Sequence, residues 1–224
     1  MFNGPVADFI IQEMKIEIES IESKLREPSL AKYSSQIIDA VEHFVNVIKE
    51  FESSGKAREL YATTDNWAED KINSHALALS SSFEDEEVCA VIDALRHAFT
   101  CFAYNGLHQL YTRQENEAWF PKVVLKEVLV PNDIFKLDQE ITLYRGSCVS
   151  EFESSQYGQA WTTSLSVANA FAYEHYQSQD WFDRSNRIVM VAKYLRENVL
   201  FSHQSVEFEV VVDTTKLSDV KLYT

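Results

Sequence analysis

Residues 205–213 read SVEFEVVVD. Val206, Phe208 and the run Val210, Val211 and Val212 suit a β-strand, while Glu207 and Glu209 interrupt it. Successive side chains on a strand point to opposite faces, so the two carboxylates share one face about 7 Å apart, at about 3.3 Å per residue. Val206, Phe208, Val210 and Val212 then form a core face. Paired acids on so apolar a strand have a plain explanation, which is charge protecting a sheet edge from aggregation. They also have a chemical one. In a cleft, one carboxylate can stabilise developing positive charge while the other orients a nucleophile, as in sugar transfer through an oxocarbenium-like state.

The surroundings of this stretch are strand-rich. ITLYRGS (141–147), AWTTS (160–164), RIVMVAKYL (187–195), NVLFS (198–202), VEFEVVVD (206–213) and VKLYT (220–224) are short and β-prone, and SVANAFAYEHY (166–176) has a helical pattern. The first half is helical. Ile10, Met14, Ile18, Ile21 and Leu25 recur at steps of three and four, which predicts one amphipathic helix. Ile37, Val41, Phe44, Ile48 and Phe51 form a second stripe, stopped at Ser53, Ser54 and Gly55. Val88, Ile92, Leu95, Phe99 and Phe102 form a third, closed near Asn105 and Gly106, and a shorter helix covers 67–79. The expected class is α+β. A helical region spans 1–120 and a β-rich core spans 121–224, packed as one unit, with the weakest boundary at 114–131.

Composition narrows the function. The 224 residues carry a net charge of −15, which disfavours broad nucleic-acid binding through Lys and Arg. No apolar run approaches the ~20 residues of a membrane span. The start lacks a basic leader, and Cys89, Cys101 and Cys148 are odd in number and widely spaced. A cytoplasmic setting with reduced thiols is therefore expected. Five glycines, at 4, 55, 106, 146 and 158, provide neither a dinucleotide fingerprint nor a phosphate loop. No zinc helix or nucleophile elbow is present. Cys148 has no histidine placed beside it by a local motif and is read as a packing residue.

Two further stretches carry chemistry. In LYRG (143–146), Arg145 is either an edge arginine with its head in water or an anion clamp, because guanidinium grips phosphate in a rigid fork. In WTTSLSVANAFA (161–172), the hydroxyls of Thr162, Thr163 and Ser164 end a strand. Ser164 or Ser166 can cap the next helix, or the hydroxyls can orient a neighbouring carboxylate. Phe171 is a core residue of that helix or a stacking platform.

The order of Arg145, then Thr162-Thr163-Ser164, then Glu207-x-Glu209 resembles the R-S-E clade of mono-ADP-ribosyltransferases, including toxin-like phage and bacterial members. The resemblance covers roughly 141–213, and nothing in the first 130 residues is diagnostic. It implies a split β-sandwich preceded by helices. It implies NAD as co-substrate and no metal, with Arg145 on the NAD phosphates or ribose and Gly146 offering backbone groups to the nicotinamide amide. Thr162 stands where the family has the first Ser of Ser-Thr-Ser, bonding the catalytic acid; Thr163 and Ser164 match the rest. Glu209 would be the catalytic glutamate, on the ribose 2′-hydroxyl and the oxocarbenium ion. Glu207 would act on an arginine acceptor, 201–206 would form the recognition loop, and Phe171 would stack on nicotinamide.

The expectation is therefore an enzyme that moves ADP-ribose from NAD to a macromolecular acceptor, with arginine on a protein favoured, as a toxin or effector. It would work in the cytoplasm, its own or that of a target cell, without a membrane partner. Its host would need a neutralising antitoxin. A DNA or RNA base as acceptor, plain NAD hydrolysis, and a catalytically inert helical interaction protein stand as alternatives.

Overall fold

The computed structural model describes residues 1–54, 66–112, 119–179 and 182–223. They form two compact units, Met1–Val124 and Leu125–Thr224. The division falls inside the 114–131 stretch, of which 114–118 lie outside the described residues, as does Gly55. The fold is α+β, with helices and one antiparallel six-stranded sheet. Among the described residues, no helix is long and apolar enough to cross a membrane.

The first unit is built from α1 (Gly4–Gln12), α2 (Ile18–Leu25), α3 (Ser34–Ser53), α4 (Trp67–Ser80) and α5 (Glu86–Thr112). The side chain of Asn3 caps α1 by accepting from the Val6 N–H at 3.1 Å. The α3 stripe Ile37, Val41, Phe44, Ile48 and Phe51 is buried, and Phe44 packs on Phe99 of α5 with ring centroids 5.6 Å apart. The single helix expected over Ile10 to Leu25 is instead two. Lys15 adopts φ 53°, and Ile16 forms a β-bridge to Val123. Val124 N–H donates to Lys15 C=O, and Glu17 N–H donates to Lys122 C=O. This arrangement buries Met14, which the periodicity marks, and Ile16, which it does not, while the marked Ile18 is only half-buried. In α5 the backbone is non-helical at Asn105 and at Gly106 (φ 65°), where the sequence predicts an end, and the helix then resumes.

In the second unit the sheet runs β4-β5-β2-β1-β3-β6. Its strands are β1 (Glu140–Cys148), β2 (Ala160–Thr162), β3 (Arg187–Leu195), β4 (Val199–His203), β5 (Glu209–Val212) and β6 (Lys221–Leu222). Helix α6 (Val149–Ser154) follows β1, and α7 (Leu165–Tyr173) follows β2. One sheet face buries Ile141, Leu143, Trp161, Met190, Tyr194, Val210 and Val212 in a common core. On the other face, Ala168 and Ala172 of α7 pack on Val189 and Tyr144. β1 pairs with β3 along its full length but meets β2 at one register pair, Tyr144 opposite Thr162. The sheet thus has two three-stranded halves with a narrow join.

One predicted strand needs correction. The extended stretch begins at Glu209, not at Val206, because Phe208 takes φ 51° and turns the chain. Val206 is 83% exposed and Phe208 40% exposed, so neither belongs to a core face. The strand expected over 160–164 ends at Thr162, and Ser164 leaves it to cap α7.

Candidate active site

Glu209 opens β5 between two neighbours. Thr162 of β2 stands opposite it on one side and His203 of β4 on the other. Residues directly opposite in an antiparallel pair share a face. Tyr144, Thr162, Glu209 and His203 therefore form a row across four strands, on the face that carries α7. Burial pushes the Glu209 carboxyl up to about 8, and the charge of Glu207 adds to the rise. Among the described residues no hydrogen-bond donor reaches that carboxylate, so nothing offsets its loss of water.

The turn 204–208 carries Glu207. Thr162 Oγ1 donates to the Glu207 carbonyl at 2.7 Å and accepts from the Ser164 N–H at 3.0 Å. Thr163 N–H donates to the Phe208 carbonyl at 3.1 Å, and Thr163 Oγ1 donates to Gln204 Oε1 at 2.9 Å. Gln204 Nε2 in turn donates to the Glu209 carbonyl at 3.1 Å and to Ser202 Oγ at 3.2 Å. The two hydroxyls that end β2 thus hold the backbone of the acid-bearing turn. Thr162 was expected to bond the catalytic acid's carboxylate; its hydroxyl instead goes to the main chain at Glu207. The expected 201–206 loop also shifts: Phe201 is buried in β4, and the connection between strands is 204–208. Glu207 and Glu209 do not share a strand face. One is exposed on a turn and the other is half-buried on a strand, and unequal environments separate the chemistry of two like acids.

Arg145 alternates with Tyr144 and so points to the opposite sheet face. Its Nε and Nη2 bind the Glu151 carboxylate at 2.7 and 3.2 Å, and its Nη1 donates to the Ala160 carbonyl at 2.6 Å. Ser147 Oγ and the Gly158 N–H also donate to Glu151. Burial alone would raise the Glu151 carboxyl, but the Arg145 charge and these donors outweigh it and hold the group below its ordinary range. Gly146 has a close neighbour on one side, since a Cβ there would strike the Ala168 carbonyl and come within 2.5 Å of the Ala172 nitrogen. Val189 gives its carbonyl to Tyr223 on the β6 side. Its register partner Gly146 therefore directs its own N–H and C=O away from β3, toward the gap beside β2.

The remaining predicted residues have local partners. Ser164 Oγ accepts from the Val167 N–H as the α7 cap, and Ser166 Oγ lies 2.9 Å from it. Phe171 stacks on His175 at 4.4 Å, so one ring face is already covered. Cys148 ends β1 with its Sγ 3.0 Å from Ser150 Oγ. The structure therefore brings Thr162, Thr163, Glu207 and Glu209 together, and it places Arg145 in a separate ion pair. Sequence reasoning misses Asp133 and Glu151 outright, and it places His203 and Gln204 within the 201–206 loop without giving either a role of its own. The polar run His203-Gln204-Ser205 between two apolar strands is the one signal that marks any of them. No protein-family model matches the chain, and no curated protein or solved structure matches it either.

Proposed function

We propose that this protein is a NAD-dependent mono-ADP-ribosyltransferase that moves ADP-ribose to a macromolecular acceptor, an arginine on a protein in preference to a nucleic-acid base. The observation that carries this reading is the placement of Glu209. It is an enclosed carboxyl opposite Thr162, beside a second acid on an exposed turn that the same threonine holds. In such a reaction the bond between ribose and nicotinamide breaks with its electron pair leaving on the nicotinamide nitrogen. The ribosyl carbon becomes cationic, and the Glu209 carboxylate stabilises that charge more than it stabilises the ground state. An arginine nitrogen of the acceptor then attacks the carbon, and its proton passes to Glu207.

The chain's own groups fit NAD in part directly and in part by exchange. Gly146 turns its backbone groups into the gap beside β2, as a nicotinamide amide requires. Phosphate at Arg145 requires more, because the guanidinium lies on the sheet face opposite Glu209 in the fork of Glu151: the pyrophosphate must displace that carboxylate and draw the side chain toward the Glu209 side. The finer fold reading, a split β-sandwich, is supported by the single register pair that joins the two halves of the sheet. Exposure of Glu207 favours a macromolecular acceptor over water alone, and the net charge of −15 favours a basic protein over nucleic acid. A toxin or effector role, with a neutralising antitoxin in the host, belongs to this reading.

The test is labelling of whole lysate with [³²P]NAD. Label that resists nucleases, is removed by protease and maps to arginine is the expected result. Label confined to nuclease-sensitive material would overturn the arginine assignment.

A further inference from the structure

Polar groups taken out of water are costly unless they are hydrogen-bonded, so clustered buried polar side chains mark an organised network. Asp133 and Ser202 are both buried, at 9 and 1% exposure, and both bond Gln204. Gln204 N–H donates to Asp133 Oδ2 at 2.8 Å. Its amide nitrogen reaches Ser202 Oγ and the Glu209 carbonyl, and its amide oxygen takes the Thr163 hydroxyl. One side chain thus ties β4, β5 and the end of β2. Asp133 is itself anchored, because its N–H donates to the Ser202 carbonyl and Lys136 Nζ lies 3.2 Å from its Oδ2.

Glu209 does not depend on this side chain alone, since β2 and β4 flank it by register. Glu207 lies outside the ladder. Its turn carries a left-handed Phe208, a conformation that the surroundings must maintain. The Thr162 and Thr163 bonds and the Gln204 amide hold that turn to β2 and β5, and Ser205 Oγ lies 3.0 Å from His203 Nε2.

On the transferase reading above, we propose that Gln204, held in turn by Asp133, is a positioning residue that keeps the Glu207 turn in place and thereby directs ADP-ribose to the acceptor and not to water. Loosening the turn then damages acceptor transfer more than nicotinamide release. Gln204→Glu supplies a control of the same shape: it keeps an oxygen for the Thr163 hydroxyl but has no N–H for the Glu209 carbonyl.

The experiment compares the full-length wild type with Gln204→Ala, Gln204→Glu and Asp133→Ala. It measures nicotinamide release, transfer of label to acceptor, and amide hydrogen exchange of 204–209. Loss of hydrogen bonds of ordinary strength predicts a fall of about tenfold in transfer for Gln204→Ala and Gln204→Glu, with nicotinamide release changed by less than about threefold. Exchange in 204–209 should quicken in both while the rest of the sheet keeps its protection. Asp133→Ala should shift the product ratio the same way, because it removes the acceptor of the backbone N–H of residue 204, a hold that Gln204→Ala leaves in place. Variants with wild-type product ratio and wild-type exchange overturn the proposal. So does a Gln204→Glu protein that behaves as wild type beside a defective Gln204→Ala, because shape alone would then suffice. A wild type that releases no nicotinamide overturns the transferase reading and the steering role with it. In that case unchanged exchange in the variants would show separately that Gln204 does not hold the turn.

Discussion

A carboxyl with an ordinary value of 4.5 that sits at about 8 once enclosed carries a proton at neutral pH that the unfolded chain releases. Between those two values the folded state binds more protons than the unfolded state, so the contribution of Glu209 to stability falls as pH rises from about 4.5 to about 8. Glu209→Gln removes the ionisable group with little change of shape. It should match wild type in urea unfolding near pH 4 and exceed it near pH 8.5 by on the order of 2–3 kcal/mol, a figure reduced for the group's remaining contact with water. An equal difference at both pH values would contradict the enclosed environment. On the proposed transferase reading, the same carboxyl must be ionised to face a ribosyl cation, so kcat/KM for nicotinamide release should rise with pH and level off above about 8. Thr162→Val should cost about 1–3 kcal/mol, because the Glu207 carbonyl and the Ser164 N–H both lose their partner. Thr162→Ser keeps the hydroxyl and should retain most of that stability in the same measurement.

At the scale of the elements, the close seat of α7 on β1 and the ion pair beneath it hold the strand that bears Arg145. Gly146→Ala should lower unfolding stability by about 1–3 kcal/mol or more, since its Cβ meets helix backbone and not a movable side-chain tip. Glu151→Ala removes the carboxylate that grips Arg145 where the two side chains are only 23 and 13% exposed, and should cost about 3 kcal/mol. Little change in chemical denaturation would mean that the pair is not a structural clamp. β1 and β3 were legible in the sequence because each is a short run rich in β-branched and aromatic residues. The 206–213 stretch is as β-prone, yet its first three residues form a turn. Bonds from Thr162 and Thr163, more than 40 residues upstream, settle that conformation, and local spacing does not contain them. The break at Lys15 is hidden for the same reason, its partners lying at residues 122–124. Thr162, Thr163, Glu207 and Glu209 were legible as a constellation. Glu151 and Asp133 were not, because each matters only through a partner set that the folded chain assembles.

Over the whole molecule, two units each hold their own buried side chains, and the site described above lies within Leu125–Thr224. On the proposed reading, the acidic balance favours a basic acceptor surface and should make transfer weaken as salt rises, since exposed charges are screened beyond about 10 Å at 0.1 M ionic strength. The central claim is that Glu209 stabilises the ribosyl cation, and the most direct measurement is nicotinamide release from NAD by purified wild type and Glu209→Gln proteins with matching circular dichroism. The account predicts release by the wild type and a loss of at least about a hundredfold in the variant, the scale of removing one preorganised electrostatic group from a transition state. Turnover by the variant at the wild-type rate would contradict it.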